Sequence, residues 1–253
     1  MIAGEGLAAR TIAYIASAPK MADAAGVFWL SGFMSDMAST KAAAVAEWAS
    51  AQGRGCTRFD YSGHGTSGGA FTDGTIGRWL EEAAAVFTRT TTGPQIVVGS
   101  SMGGHIALVM LRQLMRDAPA EAARTKSLVL IAPAWDMTEE LMWNKFSADV
   151  QREIVETGFH LRPSAYDAPY RITRALIEDG RKHLLARRPF NPGRPVIILQ
   201  GLLDADVPAS HTRELTRFLT GGHVTLVEIA DGEHRLSRPE DLDKLFAAIA
   251  SAG

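Results

Sequence analysis

The segment Gly99–Gly103 carries the residue pattern best suited to chemistry in this chain. It reads Gly-Ser-Ser-Met-Gly and places Ser101 between two glycines, each two positions away. An apolar run over 95–98 precedes it and a helix-like run over 104–110 follows it, which predicts a strand, a sharp turn and a helix. Such a turn lifts the serine hydroxyl above the sheet, where the free N–H groups of the helix point at its target. The segment therefore predicts a serine nucleophile that forms a covalent acyl intermediate.

The same five-residue pattern is also compatible with a purely structural turn. The chain contains 24 glycines, so a serine flanked by glycines can arise in a glycine-rich connection that carries no chemistry. A hydroxyl is a weak nucleophile near neutral pH and needs a base that a third group orients. The residues that could supply the base and the acid therefore decide between the two interpretations.

His234 is the best-placed candidate base. It follows the last predicted strand and precedes the last predicted helix, so its loop returns to the sheet edge where Ser101 is expected. We interpret His64, between two glycines, as part of a tight loop that buttresses the site, and His105 as a packing or solvent-facing residue. The other histidines downstream of Ser101 are interpreted as surface or packing residues: His160, His183, His211 and His223.

Asp204 is the better of two candidate acids. It lies three residues after Gly201, at the exit of an apolar run over 195–200 that predicts a strand. When the nucleophile occupies a strand–turn–helix segment, the chain order is serine, acid and histidine, and both Asp204 and Asp206 satisfy that order. We expect Asp206 to cap the next turn or to pair with a basic neighbour.

Backbone N–H groups are the candidate donors for the negative charge that develops on a carbonyl oxygen during acyl transfer. One donor is expected from Met102, the residue after the nucleophile, and a second from a loop after an early strand. The segment 30–34 is that loop, with Phe33 as the candidate donor and Gly32 allowing the main chain to approach closely. The side chains of Phe33 and Met34 could also line the substrate pocket.

Short apolar runs alternate with helical patterns along the chain and predict the elements that position these residues. Apolar faces at helical spacing predict helices over 41–51, 76–89 and 237–249. We expect Ser39 or Thr40 to cap the first of these helices and a capping box over 237–240 to begin the last. Strands are predicted over 12–16, 27–30, 57–61, 95–98, 127–132, 195–200 and 224–229. This alternation predicts an α/β fold with a mainly parallel central sheet and helices on both faces.

The interval between Pro133 and Pro195 interrupts the alternation. It contains no obvious strand and is too long for an ordinary connection, so it predicts a helical cap insertion at about 134–190 that covers the site. Binding pockets for acyl groups are mostly apolar. The substrate-binding residues predicted here are Gly32, Met34, Trp135, Met142 and Trp143.

Composition and charge exclude several classes of protein. The chain has 253 residues, enough for the single domain over 1–253 that we expect, and its net charge of −2 argues against a nucleic-acid partner. Its single cysteine, Cys56, excludes an internal disulfide framework and favours a reducing compartment such as the cytoplasm. We expect neither a signal peptide nor a membrane span, and the absence of histidine pairs at ligand spacing predicts no metal and no cofactor. The oligomeric state is left open.

These residues resemble the α/β-hydrolase superfamily over essentially the whole chain. More narrowly, the chain resembles the palmitoyl-protein thioesterase and acyl-glucuronide esterase type of α/β-hydrolase-domain proteins. The resemblance implies an α/β-hydrolase fold with Ser101 as nucleophile, Asp204 as acid and His234 as base, acting on S-acyl cysteines or other activated acyl esters. The segments that carry it are 30–37, 40–42, 58–63, 93–104, 204–208 and 234–235.

The function predicted from the sequence is therefore a cofactor-free serine hydrolase of acyl thioesters or esters. Its expected partner is a small-molecule or acylated-protein substrate. Two alternatives stay open at this point: a small-ester carboxylesterase or serine peptidase, and a non-catalytic binding module that shares the fold. An apolar channel beside the serine would favour acyl chains, whereas an acidic pocket for an amine would favour peptides.

Overall fold

The central feature of the structure is a seven-stranded sheet. The computed structural model of this chain describes residues 1–4, 9–21, 24–163 and 169–253. The strands are β1 (Ile2–Ala3), β2 (Arg10–Thr11), β3 (Tyr14–Ser17), β4 (Gly26–Leu30), β5 (Cys56–Phe59), β6 (Gln95–Ser100), β7 (Thr125–Ile131), β8 (Phe159–Arg162), β9 (Tyr170–Thr173), β10 (Val196–Gly201) and β11 (Val224–Ile229). The sheet has the order β11-β10-β7-β6-β4-β5-β3, and only β3, at one edge, runs antiparallel to its neighbour.

Helices cover both faces of this sheet. They are α1 (Thr40–Ala51), α2 (Ile76–Thr90), α3 (Met102–Asp117), α4 (Pro119–Ala123), α5 (Ala148–Thr157), α6 (Arg174–Gly180), α7 (Ala209–Phe218) and α8 (Pro239–Ser251). Because side chains alternate along a strand, Ile96 and Val98 of β6 join the cluster under α1 and α8, while Val97 joins the cluster under α2, α3 and α7. The predicted α/β fold with a mainly parallel, doubly covered sheet is confirmed. None of the described helices is long and apolar enough to cross a membrane.

The predicted caps of two helices differ from the observed ones. Ser39 precedes α1 as expected, but its side chain makes no capping hydrogen bond. At α8, Pro239 takes the first helical position, which suits its fixed φ, so that Arg238 and not Ser237 is the capping residue. The Asp241 carboxylate accepts the Arg238 N–H at 3.2 Å, whereas the Ser237 hydroxyl donates to the Arg235 carbonyl. The capping box is therefore shifted by one residue from its predicted place.

The segment between β7 and β10 contains strands as well as helices. After a π-helical turn (Thr138–Met142) and α5, the strands β8 and β9 pair as an antiparallel hairpin, and α6 follows. The expectation that this segment lacks strands is wrong, because each strand has only four residues and Leu161 and Arg162 are exposed, which hides the apolar pattern. Residues 164–168 of the predicted cap lie outside the described residues.

A buried aspartate ties the two ends of this segment to the body of the protein. The Asp136 carboxylate, 2 % exposed, accepts the N–H groups of Leu185 at 2.7 Å and Ala186 at 2.8 Å. The Asp136 N–H donates to Nδ1 of His105 on α3 at 3.2 Å. His105 is thus a packing residue, and burial lowers the pKa of its imidazole to about 3.

His211 on α7 forms a second buried contact with this segment. Its ring stacks on Trp135 at 4.3 Å between centroids, and its Nε2 lies 3.0 Å from the Trp135 carbonyl oxygen. The Trp135 indole N–H donates to the His211 carbonyl at 2.8 Å. Burial lowers the pKa of the His211 imidazole to about 4. His105 and His211 therefore enter the folded protein as neutral hydrogen-bonding groups.

These two lowered pKa values predict that the protein loses stability on mild acidification. In the unfolded chain both histidines become protonated below about pH 6.5, the usual pKa of histidine. In the folded chain His211 stays neutral down to about pH 4 and His105 down to about pH 3. The unfolded state then binds more protons, so the free energy of unfolding falls as the pH falls. Between about pH 7 and pH 5.5 we expect a loss of about 1 kcal/mol for each histidine in urea unfolding.

The variant His211→Gln, which does not titrate, isolates one of these contributions. The loss of unfolding free energy over this pH range should shrink by about 1 kcal/mol in His211→Gln. It should stay at the wild-type size in His223→Gln, because His223 is exposed just before β11. An identical acid loss in wild type and His211→Gln would contradict the buried, neutral state of this histidine.

Candidate active site

Ser101 lies at the turn between β6 and α3 in a strained backbone conformation. Its φ is +53°, a left-handed value that costs free energy for a residue with a Cβ atom and that marks functional sites. Hydrogen bonds hold the turn, because the Ser101 N–H donates to the Ile131 carbonyl at 2.8 Å and the Ala134 N–H donates to the Ser101 carbonyl at 3.1 Å. The neighbouring strand and the chain after it thus fix the serine.

The glycines on both sides of Ser101 are required by close packing. A Cβ atom on Gly103 would lie 2.1 Å from the Leu30 carbonyl oxygen of β4, and one on Gly99 would lie 2.4 Å from the Gly103 carbonyl oxygen. Both distances are far below van der Waals contact with main-chain atoms that cannot move aside. α3 can therefore start directly above the sheet, with its N-terminus beside Ser101.

Ser101, His234 and Asp204 form a continuous chain of hydrogen bonds. His234 Nε2 lies 3.1 Å from Ser101 Oγ, and His234 Nδ1 lies 2.8 Å from Asp204 Oδ2. The Asp204 side chain is fully buried, while a quarter of the His234 side chain is exposed. In this arrangement the carboxylate holds the proton on Nδ1 and leaves Nε2 free to accept the serine proton. The three elements that supply them end at the same edge of the sheet.

Asp204 is held by the loop that follows β10. Its Oδ1 accepts the N–H groups of Asp206 at 2.9 Å and Val207 at 2.8 Å, and its Oδ2 lies 3.4 Å from Nε2 of the buried Gln200. Asp204 itself therefore caps this turn, so the expectation that Asp206 does so is wrong. No ion pair joins Asp206 to another residue in the described ranges, and its exposed carboxylate lines the cavity.

The carboxylate of Asp206 nevertheless lies near the other two side chains. Its oxygen, an oxygen of Asp204 and a ring nitrogen of His234 all lie within 4.8 Å of one another. Such a trio could approach a metal ion, but the direct Asp204–His234 hydrogen bond already engages the two facing ligand atoms. The geometry thus favours a hydrogen-bonded acid–base pair.

Lys41 fixes the loop that carries His234. Its ammonium group, at the first turn of α1, donates to the carbonyl oxygen of Arg235, the residue after His234. Burial is the main reason that the pKa of this ammonium falls to about 8, and the nearby Arg235 cation adds to the effect. Lys41 had no assigned role in the sequence, since its contact joins residues far apart in the chain.

The segment 31–37 after β4, called here the oxyanion loop, lies beside Ser101. Phe33 lines the cavity, and neither its N–H nor that of Met102 has an acceptor among the described residues. For Met102 this follows from its position, since the first N–H groups of a helix have no partner inside the helix. The next N–H in the oxyanion loop, that of Met34, donates to Nε2 of His64 at 3.2 Å. Both backbone N–H groups therefore remain without an acceptor among the described residues.

A cavity of about 560 Å³ opens beside Ser101 and His234. Gly32, Met34 and Met142, three of the predicted substrate-binding residues, lie in its wall. Most of the apolar wall comes from the oxyanion loop, the segment 134–142 and the hairpin, and Trp29 of β4 and Val207 complete it. Its apolar residues are Trp29, Phe33, Met34, Ala134, Met137, Leu141, Met142, Pro163, Tyr170, Ile172 and Val207. Its charged side chains are Lys41, Arg162, Asp206 and Arg235.

Trp135 and Trp143 are not among the cavity-lining residues, although the sequence predicted that they are. Trp135 is completely buried, and its ring contacts those of His211 and Phe218. The ring of Trp143 packs instead against the guanidinium of Arg181, 4.8 Å from its centroid. Both side chains stabilise the segment over the site. Tyr170 and Ile172 line the cavity without being among the substrate-binding residues predicted above, and both lie in the hairpin that the sequence did not predict.

Comparisons with known proteins agree with this fold. Residues 22–175 match the hydrolase family described as "Serine aminopeptidase, S33". The mitochondrial palmitoyl-protein thioesterase ABHD10 of Homo sapiens is 28% identical over 226 residues, which cover 88% of this chain and 71% of that protein.

Two solved structures are similar over nearly their whole lengths. The crystal structure of a putative hydrolase from Agrobacterium vitis has a TM-score of 0.96 and 42% identity, and covers 100% of this chain and 97% of that chain. The α/β-hydrolase domain-containing protein 10 from mouse has a TM-score of 0.84 and 27% identity, and the match covers 99% of this chain and 96% of that chain. This protein is therefore an α/β hydrolase and belongs to the family described as serine aminopeptidase S33.

Proposed function

We propose that this α/β hydrolase cleaves acyl thioesters or esters through a covalent acyl intermediate on Ser101. The observation that carries the proposal is the hydrogen-bond chain from Ser101 Oγ to His234 Nε2 at 3.1 Å and from His234 Nδ1 to Asp204 at 2.8 Å. The strained turn at Ser101 adds support, because such strain persists where the reaction needs it.

In the proposed reaction, His234 Nε2 takes the proton of Ser101 as Oγ attacks the carbonyl carbon of the substrate. The N–H groups of Phe33 and Met102 stabilise the negative oxygen that results. The imidazolium, stabilised by Asp204, then gives its proton to the leaving thiolate or alkoxide, and the acyl group stays on Ser101. Water deprotonated by His234 attacks this ester, the acid leaves, and Ser101 recovers its proton.

The cavity wall favours acyl substrates over peptides with a free amine. Recognition of an ammonium group calls for carboxylates, but Asp206 supplies the only one among the described cavity-lining residues. The cations Lys41, Arg162 and Arg235 line the same cavity. Apolar side chains such as Met137 and Met142 suit an acyl chain. The name of the human relative, a palmitoyl-protein thioesterase, supports the same substrate class.

Replacing the proposed nucleophile tests the reaction directly. In Ser101→Ala, kcat for a p-nitrophenyl ester and for an acyl thioester should fall at least about 10³-fold, because no covalent intermediate can form. Ser50→Ala, an exposed serine on α1 away from the cavity, serves as the matched control and should keep wild-type rates. Rates within about tenfold of wild type in Ser101→Ala would refute the proposal.

Two aspartate variants test which carboxylate orients the histidine. Asp204→Asn should lower kcat by about 10³- to 10⁴-fold, since an amide donates to Nδ1 and forces the proton onto Nε2. Asp206→Asn leaves the bond between Asp204 and His234 in place, so its kcat should fall by less than about tenfold. Equal losses in the two variants would show that Asp204 is not the specific partner of His234.

A series of acyl chain lengths tests the substrate class. If the apolar wall binds the acyl chain, kcat/KM for p-nitrophenyl esters should rise by about twofold to fourfold per methylene from acetyl to hexanoyl, the effect of burying each CH₂. The matching acyl thioesters should follow the same trend. A flat series, with acetyl as good as hexanoyl, would instead support a small-ester carboxylesterase.

A further inference from the structure

The structure contains a buried histidine beside the oxyanion loop that the reaction described above does not use. We infer that His64 is a positioning residue, which holds the oxyanion loop so that the Phe33 N–H faces the reacting oxygen. This inference rests on the proposed serine hydrolase function. Its central contact is the hydrogen bond from the Met34 N–H to His64 Nε2 at 3.2 Å.

The contacts of the imidazole define its protonation. His64 Nδ1 lies 3.2 Å from the Ser62 carbonyl oxygen, which can only accept, so Nδ1 carries the proton. Nε2 then has a free lone pair for the Met34 N–H. Burial lowers the pKa of His64, which keeps the ring in this neutral form. His64 thus acts as a hydrogen-bond acceptor for the oxyanion loop.

The oxyanion loop needs such a contact because its backbone is strained. Met34 has a φ of +58°, and its side chain is 45% exposed, so packing of that side chain contributes little to holding it. The peptide that carries the Met34 N–H also contains the carbonyl group of Phe33. The Phe33 N–H belongs to the preceding peptide, which shares the Cα atom of Phe33 with this one. Fixing the Met34 N–H therefore limits how far the main chain at Phe33, and with it the Phe33 N–H, can move.

The loop over 60–67 that carries His64 fits the oxyanion loop at a second point. The Asp60 carboxylate accepts the Met37 N–H at 2.7 Å and the Thr66 N–H at 2.8 Å, so it connects the two loops. A Cβ atom on Gly65, whose φ is +46°, would lie 2.1 Å from this carboxylate. Glycine at this position thus leaves room for the carboxylate that connects the two loops.

The ring of His64 is itself held firmly. It contacts the rings of Trp79 at 5.2 Å, Phe71 at 5.3 Å and Tyr61 at 5.8 Å, all measured between centroids. The Trp79 indole N–H donates to the Ser62 carbonyl at 3.2 Å, the same oxygen that His64 faces.

The backbone behind the ring is anchored by a buried carboxylate. Glu82 of α2 is completely buried and accepts the Ser62 N–H at 2.8 Å and the Ser62 hydroxyl at 2.6 Å. It also pairs with the Arg10 guanidinium at 2.6 Å. The backbone that carries His64 is therefore held firmly, and the hydrogen bond to His64 Nε2 holds the oxyanion loop against it.

This role predicts a specific kinetic effect. The Phe33 N–H bonds most strongly to the oxygen when it is negatively charged, so a misplaced loop weakens the transition state more than the bound substrate. Loss of the acceptor at position 64 should lower kcat and leave KM nearly unchanged. A merely structural role would instead show as a lower unfolding temperature without this split between kcat and KM.

The matched variants His64→Gln and His64→Asn separate the acceptor from the bulk of the ring. The Gln amide oxygen can take the place of Nε2, whereas the shorter Asn amide reaches only the place of Nδ1 and keeps the Ser62 contact. We expect kcat for a p-nitrophenyl ester to fall about 10- to 100-fold in His64→Asn, with KM within about twofold of wild type. In His64→Gln, kcat should stay within about threefold of wild type. His223→Asn, at an exposed position, is the control.

Binding of a boronic acid and labelling by a fluorophosphonate complete the test of His64. A boronic acid that forms a tetrahedral adduct with the serine should bind His64→Asn about 10- to 100-fold more weakly than wild type. Equal kcat in the two His64 variants, or an equal loss of folding in both, would overturn the inference. Labelling of Ser101 by a fluorophosphonate separates the two proposals. A wild-type protein that is not labelled would contradict the hydrolase function itself. A labelled wild-type protein together with unimpaired activity of His64→Asn would contradict only the role of His64.

Discussion

The contact between Ser101 Oγ and His234 Nε2, 3.1 Å long, joins residues that are 133 positions apart in the chain. Its geometry depends on the parallel sheet, because the strands before Ser101, Asp204 and His234 all deliver their loops to one edge. It also depends on a strained φ of +53° at Ser101, which the close packing of Gly99 and Gly103 makes possible. Hydrogen bonds from neighbouring groups then hold the two partners of Ser101. Backbone N–H groups donate to the Asp204 carboxylate, and the Lys41 ammonium donates to the carbonyl oxygen of Arg235, next to His234.

Four histidines of this fold serve different purposes because their surroundings differ. His64, His105 and His211 are buried, and burial lowers the pKa of each, so they act as neutral partners of backbone groups. His64 accepts the Met34 N–H, and His105 accepts the Asp136 N–H. The His234 side chain is a quarter exposed at the cavity and is bonded on both ring nitrogens to other side chains. An imidazole that must gain and lose a proton suits that position.

Much of the site could be predicted from local patterns. The run of glycines around Ser101 and the order of Asp204 and His234 along the chain follow from backbone requirements that short segments express. Contacts between distant segments could not be predicted in this way. The bond between Lys41 and the Arg235 carbonyl, and the bond between Met34 and His64, become visible only when the loops are placed side by side.

The errors in the segment over the site have a common physical origin. The strands β8 and β9 are short and partly exposed, so they lack the apolar alternation that indicates a strand. Without the hairpin, no local pattern sets the direction of the large side chains nearby, and the prediction that Trp135 and Trp143 bind substrate rests only on their apolar character. In the structure Trp135 stacks on His211 and Trp143 packs against Arg181. Tyr170 and Ile172 of the hairpin lie in the cavity wall.

The proposed reaction requires that Ser101 becomes covalently acylated during turnover, and peptide mapping by mass spectrometry can detect this acyl group. The protein is mixed with p-nitrophenyl butyrate, quenched in acid during steady state and digested. We expect a butyryl group on the peptide that contains Ser101, and we expect it to disappear once the ester is exhausted. Steady hydrolysis with an unmodified Ser101, or with the butyryl group on another residue, would contradict it.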